Sequence, residues 1–299
     1  MVQHVADRRD RPMFTGPTGD DAAISVRGLC KSYAGGPAVS DLDLEVRRGE
    51  VFALLGPNGA GKTTTVEILE GFRRRDAGEV RVLGVDPAHP TRTWRSRVGI
   101  VLQGTGEFDT LTVAEVVHHF AAFYPAPDDP DEVIARVRLT PKSGARTHTL
   151  SGGQKRRLDV ALGIIGRPEL LFLDEPTTGF DPEARREFWD LIRDLAAGGT
   201  TILLTTHYLD EAEALADRVG VIVGGRLVEV AAPTQLGGRA EALATVSWRT
   251  PDGSVRHVET PTPTALVAEL ATRFGGEVPG LTVSRPSLED VYLRMIGHR

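Results

Sequence analysis

The sequence predicts an α/β fold: a mostly parallel sheet, an antiparallel edge sheet, a helical subdomain, and a small α+β domain at the C-terminal end. Three observations carry this reading. The short apolar runs Val51–Leu55, Val98–Leu102, Leu170–Leu173 and Thr201–Leu204 lack polar alternation and read as strands buried on both faces. Helix-like stretches separate them, as parallel connections require. From Thr112 to Val137 the pattern turns to helix alone, so helices are inserted between strands.

The chain has 299 residues and a hydrophobic fraction of 40%, enough for a sizeable core in one large domain or two smaller ones. The formal charge is −6, with 41 acids against 35 bases, which argues against a nucleic-acid coat. Arg73-Arg74-Arg75 is the longest basic run and reads as a solvated helix end. Cys30, the single cysteine, has no internal disulfide partner, which fits a reducing cytosol. No stretch approaches the 18 or so consecutive apolar residues of a membrane span. Residues 1–22 carry Asp7-Arg8-Arg9-Asp10-Arg11 and then Pro and Gly, lack an apolar signal core, and read as a flexible tail.

Ile24, Val26 and Leu29, then Val39, Leu42, Leu44 and Val46 beyond a turn at Gly35-Gly36-Pro37, recur at intervals of two or three. They form the antiparallel edge sheet. Tyr33 stands just before that turn and, taken in isolation, reads as packing. After Val51–Leu55 comes Gly56-Pro57-Asn58-Gly59-Ala60-Gly61-Lys62-Thr63-Thr64, and then a helix-like stretch from Thr65 to Gly71. Strand, glycine loop and helix match G-x-x-x-x-G-K-S/T, the P-loop that wraps nucleotide phosphates. Glycines let successive amides turn inward as an anion nest, and the helix N-terminus adds partial positive charge. Lys62 would reach the β- and γ-phosphates and the Thr63 hydroxyl would ligate Mg²⁺. The core is thus that of a P-loop NTPase.

Gly78–Gly84 reads as a further strand, and Val98–Leu102 ends on Gln103. Thr112-Val113-Ala114-Glu115 is a capping box. Tyr124-Pro125 closes that helix and Pro127-Asp128-Asp129-Pro130 opens another. The adjacent His118 and His119 point to different sides and lack metal-ligand spacing. Leu150-Ser151-Gly152-Gly153-Gln154 introduces a helix running to Gly166. Leu170–Leu173 delivers Asp174-Glu175 at a strand C-terminus, where open α/β sheets hold ligands. Asp181-Pro182 supplies an N-cap and N1 pair, Gly198-Gly199 stops that helix, and Thr201–Leu204 leads to His207. Val219–Val223 is the last core strand. Beyond Val230, three short strands surround a helix from Ala265 to Phe274, and a final helix covers Ser287–Ile296. The expected division is 1–22, tail; 23–236, nucleotide-binding domain with a helical subdomain at about 104–167; and 237–299, accessory domain. A P-loop needs a second acid for Mg²⁺ on a buried strand, and Asp174 supplies it. Glu175 is placed to polarise the attacking water. Alone, the Asp174-Glu175 pair also reads as a strand cap.

In their order, these pieces resemble the nucleotide-binding domain of ATP-binding cassette (ABC) transporters over roughly Ile24 to Leu236. Leu150-Ser151-Gly152-Gly153-Gln154 resembles that family's signature, placed between P-loop and Walker B strand. The resemblance implies roles position by position. Tyr33 would stack on adenine, and Gly56, Pro57, Asn58, Gly59, Ala60, Gly61, Lys62, Thr63 and Thr64 would bind phosphates. Gln103 would join Mg²⁺ and the water and link to the membrane partner. Asp174 would hold Mg²⁺, Glu175 would be the catalytic carboxylate, and His207 would contact the γ-phosphate. Asp181 would communicate across a dimer, and Ser151, Gly152, Gly153 and Gln154 would face ATP held by the other subunit. Phe180 stands where the family more often has leucine, and Pro141–Arg146 is unusually short and polar.

A closer resemblance is to bacterial drug-exporter ATPases of the daunorubicin/doxorubicin-resistance type. It rests on Gly104–Thr112, on Thr206-His207-Tyr208-Leu209-Asp210-Glu211-Ala212, and on Pro286-Ser287-Leu288-Glu289-Asp290-Val291-Tyr292-Leu293. It implies an ATPase using ATP and Mg²⁺, a head-to-tail homodimer, a separate integral membrane permease, and a place at the cytoplasmic face of the cell membrane. It implies no nucleic-acid partner. Other ABC systems, for lipid or polysaccharide export or for import, and a soluble ABC ATPase remain as alternatives.

Overall fold

The computed structural model describes residues 21–101 and 108–297. The chain opens with β1 (Ala22–Tyr33), β2 (Gly36–Arg47) and β3 (Val51–Leu55), followed by α1 (Lys62–Leu69) and β4 (Ala77–Val82). A one-turn helix, α2 (Arg92–Arg95), precedes β5 (Val98–Val101). The helical insertion contains α3 (Val113–Ala121), α4 (Pro130–Arg136) and α5 (Gly152–Ile164). Then β6 (Leu170–Asp174), α6 (Pro182–Ala197), β7 (Thr201–Thr206), α7 (Leu209–Leu215), β8 (Arg218–Val223) and β9 (Arg226–Ala231) complete the core. The C-terminal part has β10 (Ala244–Arg249), β11 (Val255–Thr260), α8 (Pro263–Phe274), β12 (Thr282–Ser284) and α9 (Leu288–Gly297).

The central sheet runs β5-β6-β7-β3-β8-β9, parallel except for β9, which pairs antiparallel with β8 across the Gly224-Gly225 turn. Its inner strands bury both faces, which is why they read as unbroken apolar runs. On β3, Phe52 and Leu54 enter the core shared with the antiparallel sheet β2-β1-β4, while Val51, Ala53 and Leu55 enter the core shared with the helices. The expected antiparallel sheet is therefore a separate layer, and α1 lies in the same core through Val66, Ile68 and Leu69. Two elements escaped the sequence reading. The four residues of α2 are too short for periodicity to register, and β9 is half-buried with one weakly apolar face.

The helical insertion starts where its cap residues dictate. The Thr112 hydroxyl accepts from the Glu115 amide at 3.2 Å, and the Glu115 carboxylate accepts from the Thr112 amide at 2.7 Å. Asp129 caps α4, with Pro130 in its first turn. Val113, Val116 and Val117 bury with Val133, Ile134, Leu158 and Ala161 in a core continuous with the sheet's helical face. The C-terminal sheet β11-β10-β12 has its own small core of Val246, Trp248, Leu270 and Val278 under α8. The last helix departs from it: Leu288 and Val291 of α9 bury in the main core beside Leu236. Ser287 caps α9, its hydroxyl accepting from the Asp290 amide at 3.0 Å. No helix among the described residues is long and apolar enough to cross a membrane.

Candidate functional site

The sequence expected the glycine-loop helix to begin at Thr65; it begins at Lys62. Gly61 is its N-cap in the left-handed region at φ 105°, and a Cβ there would stand 2.4 Å from the Ala38 carbonyl oxygen, so only glycine fits. Starting three residues earlier puts Lys62 and Thr63 in the first turn, at the end where helix amides and dipole favour an anion. Lys62 is buried, and its ammonium donates to the Gly56 carbonyl at 2.7 Å and the Pro57 carbonyl at 3.3 Å. Burial pushes its pKa down, and Glu175 and Asp174 act in the opposite direction. Thr63 is exposed, and its hydroxyl makes no hydrogen bond among the described residues.

Three strand ends bring the acids to this loop. β6 pairs with β7 and β7 with β3, so Asp174, Thr205 and Leu55 end on one rim of the sheet. The Thr205 hydroxyl donates to Asp174 Oδ1 at 2.5 Å. Glu175 follows with φ 43°, a left-handed conformation rarely taken by a residue with a side chain. The Glu175 amide donates to both the Thr205 carbonyl (3.1 Å) and the Thr205 hydroxyl (3.0 Å), which holds this turn. The turn swings the carboxylate toward the loop: Glu175 Oε1 lies 3.3 Å from His207 Nδ1 and 4.0 Å from Lys62 Nζ. An acid, an imidazole and an ammonium thus converge on one oxygen beside a phosphate-type loop.

The other sequence-predicted residues divide. The Tyr33 hydroxyl comes within 3.5 Å of Thr64 Oγ1, and its ring, 42% exposed, carries the Arg73 guanidinium 5.3 Å from its centroid. Ser151 and Gln154 cap α5 reciprocally and are joined by no hydrogen bond to Gly56–Thr64 among the described residues. Gly152 instead lines a 340 Å³ cavity with Lys155, Glu175 and the Thr178-Gly179-Phe180 turn. Asp181 caps α6, its carboxylate accepting from the Glu183 and Ala184 amides at 3.0 and 2.8 Å. Gln103 lies outside the described residues.

A phosphate loop, a capped glycine signature, a strand-borne pair of acids and a histidine in this order have known counterparts. Residues 39–178 match the family model described as ABC transporter. The daunorubicin resistance ATP-binding protein DrrA3 of Streptomyces coeruleorubidus is 38% identical, over 93% of this chain and 96% of that protein. This chain belongs to the ATP-binding subunits of ABC transporters. The Nod factor export ATP-binding protein I of Ralstonia nicotianae is also 38% identical, over 93% of this chain and 95% of that protein. A solved ATP-binding subunit of an ABC transporter superposes with a TM-score of 0.65 at 26% identity, over 72% of this chain and 91% of that one.

The activity of this ABC ATPase is ATP hydrolysis, and the loop's donor set fits ATP: a glycine cradle closed to any Cβ at Gly61, a buried ammonium, and an exposed hydroxyl. The sequence reading missed two residues that build the site. Thr205 bonds both Asp174 and Glu175, but a threonine inside an apolar strand resembles any other β-branched filler. The buried Arg156 donates to the Asp174 carbonyl at 2.6 Å and the Pro176 carbonyl at 3.1 Å, clamping the turn that carries Glu175. The apolar pattern did not flag it: Arg156 shares its stripe with Asp159, Val160 and Gly163, opposite the Leu158, Ala161 and Leu162 face by which the helix was read.

Proposed function

We propose that this chain is the ATP-hydrolysing subunit of an export system, and that two copies, head to tail, enclose two ATP molecules. Gly56–Thr64 of one copy faces Ser151–Gln154 of the other, and a separate integral membrane permease at the cytoplasmic face carries the cargo. Supporting this reading, the start of α5 is exposed at Ser151 and Gly152 and makes no polar bond to its own loop among the described residues. A signature free of its own P-loop is available to another copy, and a closed two-fold pair satisfies both. The relatives are a daunorubicin resistance protein and a Nod factor export protein, which favours a drug-like or similar amphiphilic cargo.

In each site, water attacks the γ-phosphorus and the bond to the ADP oxygen breaks. Glu175 takes the proton of the attacking water. Lys62 and the loop amides bear the charge on the transferring oxygens, and His207 meets the γ-phosphate edge while orienting Glu175. Mg²⁺, held by Thr63 and Asp174, would neutralise phosphate charge. Tyr33 would take adenine and Asp181 would hold the turn that faces the second copy. The observation that carries the reading is the convergence of Lys62, His207 and Glu175 on one oxygen. Light scattering of Glu175→Gln with ATP tests the assembly. A dimer that forms with ATP and is lost on mutating Ser151 to a bulky residue is expected; a monomer under all nucleotide conditions would overturn the paired site.

A further inference from the structure

His207 stands where regular structure does not hold it. It follows the last residue of β7 and precedes α7, and its side chain is 38% exposed. Two side-chain torsions are open to such an imidazole unless a neighbouring surface limits them. Glu175 meets the ring at Nδ1. The other neighbour is Tyr208, whose ring centroid lies 4.1 Å from that of His207 at a 40° tilt. Tyr208 is the N-cap residue of α7, yet its side chain makes no capping bond there. Serine, threonine, aspartate or asparagine would cap that helix. The tyrosine instead supplies ring surface beside the histidine.

Tyr208 is held in turn from another element. Arg185, in the first turn of α6, places its guanidinium carbon 4.5 Å from the centroid of the Tyr208 ring, within cation–π reach. Its Nη1 donates to Asp210 Oδ2 in the first turn of α7 at 3.1 Å. Its Nε is buried and makes no hydrogen bond among the described residues. Ring and carboxylate therefore orient the guanidinium. One turn further along α6, the Trp189 indole donates to Glu211 Oε1 at 3.3 Å, and the same oxygen accepts from the Thr177 hydroxyl at 2.9 Å. Glu211 is fully buried, so α6 and α7 are fastened by a contact that does not involve Arg185. What Arg185 adds is the cation on Tyr208.

We propose that Arg185 is a positioning residue for ATP hydrolysis: it holds Tyr208 against the His207 imidazole, and so keeps that imidazole aimed at Glu175 and the γ-phosphate. This rests on the reading of His207 as the group that meets the γ-phosphate. Arg185 itself touches no reacting atom; its effect passes through one ring. A guanidinium suits the place better than an ammonium, because its plane stacks on the tyrosine while its edge pairs with Asp210.

The test is a double-mutant cycle on the full chain, reading kcat at saturating ATP and, separately, ATP affinity by titration. Arg185→Ala is expected to lower kcat by about 10- to 100-fold, the scale of a misplaced catalytic group, with ATP affinity unchanged. Arg185→Lys, which keeps a charge over the ring, is expected to recover part of the loss. Arg185→Met, which keeps only the stem, is expected to recover none. In a His207→Ala background, Arg185→Ala is expected to cost nothing more, since no imidazole is left to position. Wild-type kcat in Arg185→Ala, equal recovery by Met and Lys, or a loss of the same size with and without His207 would overturn the proposal. Tyr208→Ala, run through the same cycle, leaves the α6 side chains intact and keeps the test open if Arg185→Ala does not fold. A kcat loss there that ignores the state of His207 would overturn the proposal equally. His207→Ala alone reads the underlying assignment: wild-type turnover in it would remove His207 from the γ-phosphate, and Arg185 with it. Lost turnover in His207→Ala beside an unaltered Arg185→Ala would leave that reading standing and remove Arg185 only.

Discussion

His207 Nδ1 stands 3.3 Å from Glu175 Oε1, joining the ends of two adjacent parallel strands across the site. The contact depends on a backbone that a carboxylate residue rarely takes: Glu175 sits at φ 43°, held by two acceptors on Thr205. Glu175→Gln keeps this geometry and its hydrogen-bonding reach but cannot take a proton. Steady-state ATP turnover is expected to fall by about 10²- to 10⁴-fold, the range of a lost general base, with nucleotide binding retained. Turnover near that of the wild type would remove Glu175 from the reaction.

Lys62 has a second task besides meeting phosphate. Its ammonium bonds the Gly56 and Pro57 carbonyls of its own loop. Lys62→Ala is therefore expected to weaken ATP binding by about 10- to 100-fold, the equivalent of about 1.5–3 kcal/mol for a lost charged hydrogen bond. Fluorescence titration with a labelled nucleotide reads this directly, and an unchanged affinity would contradict the loop assignment.

Glu70 sets a pH dependence of stability. Its carboxyl ionises near 4.5 when unfolded and near 8 in the fold. Between those values the native state holds more protons than the unfolded one, so stability falls as pH rises. The contribution is complete below about pH 4.5 and is lost as pH passes 8. Glu70→Gln is expected to flatten this loss, gaining on the order of 1–3 kcal/mol over the wild type at pH 8.5 and little at pH 5. Urea denaturation at the two pH values measures it; an equal effect at both would refute the buried-acid account.

Gly99 and Gly163 hold the helical insertion against the sheet. A Cβ on Gly99 would lie 2.3 Å from the Gly163 carbonyl oxygen, where neither backbone can yield. Gly99→Ala is expected to cost about 1–3 kcal/mol through overpacking. Thermal denaturation would show it as a lowered midpoint, and an unchanged midpoint would mean that β5 and α5 separate freely.

The C-terminal helix is part of the main core. Truncation before Leu288 removes Leu288 and Val291, both buried, and uncovers Leu236. At about 1.5–3 kcal/mol for each fully buried aliphatic side chain, the loss is expected to lower the melting midpoint of the whole nucleotide-binding core. A truncated chain that melts at the wild-type temperature would show α9 to be a mere appendage.

By itself the sequence determined most of the core strands and helices and the glycine loop. Val51–Leu55, Leu170–Leu173 and Thr201–Leu204 were legible as two-faced strands because burial on both sides forbids polar alternation. The capping box at Thr112, the helix start at Pro127–Pro130 and the N-cap Asp181 were legible because capping is local, decided within three or four residues. So was the glycine loop, whose residue types answer to backbone sterics. What the tertiary structure alone decided is long-range. It brought Lys62, Glu175 and His207 onto one oxygen, assigned Thr205 and Arg156 to hold the turn between them, and took α9 from its sequence neighbours into the main core. It also left Glu70 unpartnered in an aromatic cavity. These outcomes follow from which strand lies beside which, and pairing between residues as far apart as Leu170 and Thr201 or Phe52 and Arg218 leaves no periodic trace in a chain, because periodicity reports only the face a residue presents and not the partner that face will meet.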